Sequence, residues 1–192
     1  MKNNQSERKK SSMPLRITRK SFLGVLSLIA QEFIESISTK FKFKKPKEEE
    51  VLSSVRLKAE SNNPNSVLSI IDNYAYKKTF LMNIGDEKGL LLENAISESK
   101  AKNILELGVY LGYSTIRILK NLDNNSKLTS IESNKKFAEI SSEIINIAGL
   151  SDKHNLIIGK SNEVIPNLNE KYDFIFIDHW KDLYLKDLKS LE

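Results

Sequence analysis

Short apolar runs alternate with amphipathic stretches along most of this chain, and their order predicts the fold. From residue 102 onward, four runs are typical of β-strands: KNILELG, KLTSIES, HNLIIGK and YDFIFID. Between them lie stretches with helical spacing: STIRILKNL, NKKFAEISSEIINIAGL and the short SNEVIPNL. Strands that alternate with helices predict an α/β fold with a parallel, doubly wound sheet. Ligands bind such sheets at the carboxyl ends of the strands.

Two further helices are predicted ahead of the first strand. EEEVLSSVRLKAE is helical up to the turn-rich SNNPNS, and SVLSIIDNYAYKK is the next helix. The second helix places Val67, Ile70, Ile71 and Tyr74 on one face. These elements belong to a folded domain that we expect over residues 47–192.

Residues 1–46 form a basic N-terminal extension that contains one apolar stretch at about residues 21–37, SFLGVLSLIAQEFIESI. Its uninterrupted apolar part is too short to span a bilayer. The helical spacing favours an amphipathic helix on a membrane surface or against the domain. Basic residues ahead of it also resemble a secretory signal or anchor, although no small-residue cleavage site follows. We expect a cytoplasmic protein whose membrane association, if present, depends on this helix.

Composition narrows the chemistry further. The chain contains no Cys and two His, which excludes disulfides, thiolate nucleophiles and multi-His metal clusters. A metal would need oxygen ligands, which favours Mg²⁺ or Ca²⁺. Residues 1–50 carry 12 Lys or Arg against 6 Asp or Glu, whereas residues 51–192 carry 18 against 19. The basic charge therefore belongs to the extension, and we expect no nucleic-acid partner.

The segment LELGVYLGYS takes the first predicted strand into a helix through two glycines, Gly108 and Gly112. The dinucleotide fingerprint is G-x-G-x-x-G, whereas this spacing is G-x-x-x-G preceded by Glu106. A pyrophosphate disfavours a nearby carboxylate, so Glu106 argues against NAD. Glu132 ends the next strand, where an acid can accept hydrogen bonds from both hydroxyls of a ribose. Loop glycines and solvated acids are commonplace singly, but their joint placement predicts an adenosine ligand without a pyrophosphate.

Six motifs in order resemble catechol O-methyltransferase, a class I S-adenosylmethionine-dependent enzyme. They are MNIGDEKG (82–89), LELGVYLGYS (105–114), IES (131–133), AGLSDK (148–153), GKSNEVIPNL (159–168) and DHWKDLYLKD (178–187). The likeness runs from about Glu48 to Glu192 and implies a Rossmann-like fold. The glycine motif is generic to class I methyltransferases, whereas MNIGDEKG and DHWKDLYL are far more particular.

The resemblance implies S-adenosylmethionine as the cofactor. The loop Met82, Asn83, Ile84 and Gly85 would cover its methionine end, and Glu106, Tyr110 and Ser114 would contact its amino-acid part. Glu132 would bind the ribose, and Gly159, Ser161 and Asn162 would surround the adenine. The turn after the last strand, Asp178, His179 and Trp180, would line the same cleft. Gly108 belongs to the same site.

The resemblance also implies the reaction, transfer of a methyl group to a hydroxyl of a catechol-like molecule. Asp178 would bind Mg²⁺, and Lys181 would be the general base that removes the hydroxyl proton. Trp180, Lys181 and Phe80 would contact the substrate, and Phe80 replaces a Trp that is usual in the family. Without the resemblance, DHWK could equally be an Asp cap, a buried Trp and a solvated Lys.

The family pattern continues beyond residue 192 with further strands, an Asp-Asn pair that completes the metal site, and a later Glu on the substrate. We therefore expect a chain truncated at its C-terminus. The YDFIFID strand would become an apolar sheet edge, so the chain would be poorly soluble or would need a partner chain. The alternative function is a non-catalytic remnant that binds S-adenosylmethionine.

Overall fold

The computed structural model describes residues 45–192, so the apolar helix predicted at about residues 21–37 lies outside the described residues. Helices are Lys47–Lys58 (α1), Pro64–Lys77 (α2), Gly85–Ser99 (α3), Tyr113–Leu119 (α4), Lys135–Ile147 (α5), Ser161–Val164 (α6) and Tyr184–Leu191 (α7). Strands are Asn103–Leu107 (β1), Lys127–Glu132 (β2), His154–Ile158 (β3) and Phe174–Ile177 (β4). Within this range, no helix combines the length and apolarity needed to cross a membrane.

The four strands form one parallel sheet in the order β3-β2-β1-β4. Leu107 of β1 is in register with Ile131 of β2 and Ile177 of β4, so these strands end side by side. One face carries the larger core, to which α1, α2, α4 and α5 contribute, and the other packs on α6 and α7. This arrangement confirms the doubly wound α/β fold predicted from the sequence.

Within residues 45–192, the predicted strands and helices are confirmed, with ends that shift by a few residues. On α2, Val67, Ile71 and Tyr74 are buried as predicted, but Leu68 takes the fourth buried place and Ile70 is only partly covered. Two helices were not predicted, α3 and α7. In α3, glycines occupy the first turn and the fifth position, and such residues normally argue against a helix.

Strand β4 lies at one edge of the sheet in the described part of the chain. Its four apolar residues, Phe174–Ile177, are all partly exposed, whereas β1 at the centre of the sheet is almost fully buried. An apolar edge of this kind favours pairing with another strand. The need for a covering partner stays a prediction.

A buried polar network joins α2, α3 and α4. Arg117 of α4 is 6% exposed, and its Nη2 donates to the Tyr113 hydroxyl at 2.7 Å. That hydroxyl donates in turn to Asp72 at 2.7 Å, while Arg117 Nη1 bonds to Glu93. Gly89 makes room for the network, because a Cβ at that position would overlap the guanidinium.

We expect Arg117→Met to lower the free energy of unfolding by about 2 kcal/mol. The substitution leaves Glu93 buried with Lys120 as its remaining cation and takes a donor from Tyr113. Urea denaturation measures the change. The matched control is Arg56→Met, whose ion pair with Glu143 is exposed, and it should cost less than about 0.5 kcal/mol. Equal losses in the two variants would contradict this account.

Candidate functional site

The carboxyl ends of all four strands meet at one edge of the sheet. Three backbone hydrogen bonds, each of 2.9 Å, extend the ladders past the strand ends: Gly108 N to Ile131 O, Gly159 N to Glu132 O, and Asp178 N to Leu107 O. The loops after β1, β3 and β4 therefore start side by side. This brings together the predicted site residues that follow separate strands.

Gly108 lets two of these loops touch. Its φ is +94°, a conformation that side chains disfavour, and a Cβ there would lie 3.0 Å from the Asp178 carbonyl oxygen and from His179 Cα. The glycine therefore brings the β1 loop against the turn that follows β4. This close approach is the structural reason for a glycine immediately after β1.

Gly108→Ala should destabilise the chain by about 2 kcal/mol, because a left-handed residue costs about 1–2 kcal/mol before any displacement of the β4 turn. Thermal unfolding of the two proteins measures the difference. Ser142→Ala on the exposed side of α5 is the control and should change stability by less than about 0.5 kcal/mol. A Gly108→Ala protein as stable as that control would show that the loops do not need this contact.

Glu132 holds the loop after β1 in place. Its Oε2 accepts the backbone N–H groups of Val109 and Tyr110, both at 3.0 Å, and its Oε1 accepts from Asn134 N at 2.8 Å. These bonds offset the positive φ of Tyr110, which is +52°. Oε1 keeps one lone pair free of these bonds, so Glu132 can still accept a hydrogen bond from a ligand hydroxyl.

Glu106 is completely buried at the end of β1. Three hydroxyls donate to its carboxylate: Ser114 Oγ at 2.6 Å, Thr115 Oγ1 at 2.7 Å and Ser130 Oγ at 2.7 Å. Burial raises the pKa of Glu106 to about 7, although the three hydroxyl bonds act in the opposite direction. A carboxylate accepts about four hydrogen bonds, so one acceptor position remains for a ligand.

The network around Glu106 extends to residues that sequence reasoning did not single out. Ser130 gives its one hydrogen to Glu106, so it accepts from His154 Nε2 at 2.9 Å. Burial lowers the pKa of His154 to about 4, which leaves the ring neutral at neutral pH. The sequence alone could not show this, because Ser130 is matched with Glu106 only once the register of β1 and β2 is known.

Tyr110 and Ser114, predicted to contact the amino-acid part of the cofactor, are both buried. The Tyr110 hydroxyl donates to Glu48 of α1 at 2.7 Å, and its ring packs edge-on against Phe137 with the centroids 5.0 Å apart. Ser114 bonds to Glu106, as described above. The structure therefore brings the predicted residues together, and their contacts with a cofactor stay predictions.

The loop predicted to cover the methionine end links α2 to α3. Met82 is 50% exposed, and Gly85 begins α3 with a φ of +74°. Asn83 Nδ2 is buried and has no hydrogen-bond partner in the part of the chain that the structure describes. A buried amide donor of this kind suits an acceptor on a ligand. Ile84 occupies the N-cap position of α3 and makes no side-chain hydrogen bond there.

The turn after β4 carries the remaining predicted chemistry. Asp178 is exposed overall, but partial burial of its carboxyl group raises the pKa of that group to about 6. The positive charges of Lys88, His179 and Lys181 act in the opposite direction and lower this pKa. Trp180 is 75% exposed and Lys181 is exposed, so the solvated alternative for Lys181 stays open. Phe80, the other predicted substrate contact, is 38% exposed.

The predicted adenine side lies after β3. Gly159 follows the strand, Ser161 begins α6 and is 7% exposed, and Asn162 is exposed. Within residues 45–192, no group of three or more His, Cys, Asp or Glu side chains could hold a metal ion. Asp178 alone does not make a magnesium site.

Comparison with known proteins identifies the family. A family profile described as O-methyltransferase matches residues 58–191. The catechol O-methyltransferase of Mus musculus is 40% identical over 151 residues, which cover 76% of this chain and 57% of that protein. Catechol O-methyltransferase B of Danio rerio is 36% identical over 176 residues, 89% of this chain and 67% of that protein. The chain belongs to the catechol O-methyltransferase family.

This chain spans between 57% and 67% of the length of these two catechol O-methyltransferases. Among solved structures, an O-methyltransferase from Bacillus cereus in complex with SAH superposes with a TM-score of 0.57 at 23% identity, covering 82% of this chain and 66% of that one. That similarity confirms the fold. The Rossmann-like methyltransferase architecture therefore stands, as predicted from the motifs.

Proposed function

We propose that this chain binds S-adenosylmethionine at the carboxyl ends of its strands and transfers the methyl group to a hydroxyl of a catechol-like small molecule. The observation that carries the proposal is the pair of acids at neighbouring strand ends, Glu106 and Glu132, joined by the glycine loop. Membership of the catechol O-methyltransferase family supports both the cofactor and the substrate class.

The donors and acceptors of the site suit the three parts of this cofactor. Glu132 keeps an acceptor position for ribose hydroxyls, Glu106 keeps one for an ammonium group, and the buried Asn83 amide is a donor for a carboxylate. Burial strengthens the attraction between the Glu106 carboxylate and a cation, because little water screens the charge. Gly159, Ser161 and Asn162 would lie around the adenine.

When bound, the cofactor supplies a methyl group on a positively charged sulfur. The substrate oxygen forms the new bond to carbon as the carbon–sulfur bond breaks, and the hydroxyl proton must leave. We assign removal of that proton to Lys181, with Trp180 and Phe80 as walls for the aromatic substrate. Asp178 alone does not form a metal site among the described residues, so we assign no step to Mg²⁺, and the assay below tests magnesium dependence.

Calorimetry with S-adenosylmethionine tests the first half of the proposal. We expect saturable binding that Glu132→Gln weakens about tenfold, because the amide has one acceptor oxygen in place of two. Glu139→Gln, on the exposed side of α5, is the control and should bind as the wild type does. Circular dichroism of each variant shows whether the fold is intact. No binding by the folded wild type would overturn the proposal.

A methylation assay with a catechol, with and without Mg²⁺, tests the second half. Turnover supports the enzyme, and its dependence on Mg²⁺ tests whether a metal ion takes part. Binding without turnover at any Mg²⁺ concentration supports the alternative, a non-catalytic protein that binds S-adenosylmethionine. Titration with NADH should give no binding, since the glycine spacing departs from the dinucleotide fingerprint.

A further inference from the structure

His179, predicted above to line the cofactor cleft, pairs with the buried Asp187, and the proposed methyl transfer gives neither side chain a chemical role. His179 Nε2 lies 2.5 Å from Asp187 Oδ2, and the two side chains are 12% and 1% exposed. Asp187 is on α7, eight residues along the chain from His179. A carboxylate can only accept, so this bond places a hydrogen on Nε2 of the imidazole.

Two further contacts fix the position of His179. Its ring stacks on that of Tyr184, with centroids 5.5 Å apart and planes inclined by 10°. Its backbone packs on Gly108, where an added Cβ would lie 3.0 Å from His179 Cα and Cβ. The histidine is therefore held between α7 and the loop that follows β1. Its neighbours along the chain, Asp178 and Trp180, were predicted with it to line the cofactor cleft.

The pair carries an energetic cost that its packing does not explain. His179 Nδ1 and Asp187 Oδ1 are both buried and have no hydrogen-bond partner among residues 45–192. Buried polar atoms normally find partners, and an apolar pair of similar size often stabilises a fold as well or better. A carboxylate and an imidazole at this position therefore point to a role other than stability.

We propose that Asp187 is a positioning residue: through His179 it fixes the turn that carries Asp178 and Trp180 against the glycine loop of the cofactor site. This inference rests on the function proposed above. In this proposal Asp187 has no contact of its own with the cofactor or the substrate. Its effect passes through the orientation of the imidazole, which the Nε2–H bond determines.

The orientation can be measured without any cofactor. The chain contains only two histidines, so a long-range ¹H–¹⁵N spectrum shows two imidazoles, and His154→Gln assigns them. We expect His179 to carry its hydrogen on Nε2 in the wild type and to exchange between tautomers in Asp187→Ala. Asp187→Asn keeps an acceptor oxygen and should keep the Nε2–H form. Two exchanging tautomers in the wild type, or an unchanged spectrum in Asp187→Ala, would overturn the proposal.

The effect on the site is read from S-adenosylmethionine affinity together with urea denaturation. We expect Asp187→Ala to weaken binding about tenfold and Asp187→Asn to stay within about threefold, because the orienting bond is worth about one power of ten. In a His179→Ala background, Asp187→Ala should have no further effect on affinity. Asp182→Asn, an exposed acid five residues earlier, is the matched control and should bind like the wild type.

A purely structural role gives a different result: Asp187→Ala would lower stability while affinity and tautomer stay unchanged, and the proposal would fail. If the folded wild type bound no S-adenosylmethionine, the proposed function would fail instead. The spectrum would still decide whether Asp187 orients His179. The two failures are therefore distinguishable.

Discussion

Glu106→Gln should make the chain more stable above pH 7 and, at the same time, about a hundredfold weaker in binding S-adenosylmethionine. Burial raises the pKa of Glu106 from the ordinary 4.5 to about 7. A shift of that size corresponds to about 3 kcal/mol of unfavourable ionisation in the folded chain at high pH. A neutral amide avoids this cost and can still bond to Ser114, Thr115 and Ser130.

The sign of the pH dependence follows from the raised pKa. Between pH 4.5 and pH 7 the folded chain holds a proton on Glu106 that the unfolded chain has lost, so wild-type stability falls as pH rises through this range. The stability of Glu106→Gln does not depend on pH in this way, because glutamine does not ionise. Urea denaturation from pH 5 to pH 8 should show that the variant has the higher free energy of unfolding. The difference from the wild type should grow up to about pH 7 and then stay constant. A constant gap across the whole range would contradict the assignment.

The affinity of the wild type for S-adenosylmethionine should change with pH in the opposite direction to its stability, because a cationic group of the cofactor requires the ionised Glu106 carboxylate. Wild-type affinity should rise from pH 6 and level off above pH 7. In Glu106→Gln most of this rise should vanish, and any slope that remains belongs to Asp178, whose pKa is raised to about 6. The variant would then separate two effects of one buried acid, a cost to folding and a gain in binding.

Lys181→Met should lower methyl-transfer turnover by about 10²–10⁴, the range that general acid–base catalysis normally supplies. Methionine keeps the length of the side chain and removes the amine. Affinity for S-adenosylmethionine should be unchanged, since the role assigned to Lys181 concerns the substrate hydroxyl. Steady-state kinetics with a catechol, alongside calorimetry, measure the two quantities.

Lys186→Met, another exposed lysine five residues further along, is the control and should keep full turnover. Comparable rates for Lys181→Met and wild type would favour the ordinary solvated lysine that the sequence left open. A parallel loss of affinity would instead show that Lys181 belongs to the cofactor site.

Much of the fold could be predicted because it depends on local patterns. β1 and β4 are apolar runs bounded by turn residues, and α5 combines apolar spacing with an Asn cap and a closing Gly149. Helix α3 could not be predicted, since Gly89 disfavours a helix locally and is explained only by the guanidinium of Arg117 on another helix. Local propensity and tertiary packing disagree there, and packing prevails.

The candidate site also has a part that could be predicted from the sequence and a part that could not. Glu106 and Glu132 lie at the ends of β1 and β2 and Asp178 follows β4, so the order of the strands is enough to bring them together. The partners of these acids could not be predicted, because they depend on register. Ser130 reaches Glu106 only because the two residues are directly opposite in neighbouring strands.

The bond from His154 to Ser130 has a consequence for any attempt to transplant this crevice into another scaffold. The hydrogen-bond network around Glu106 runs across three strands and ends on β3. A graft that copied only β1 and the loop after it would carry the carboxylate without Ser130 and His154. The smallest transferable unit is therefore β1, β2 and β3 together with α4, which carries Ser114 and Thr115.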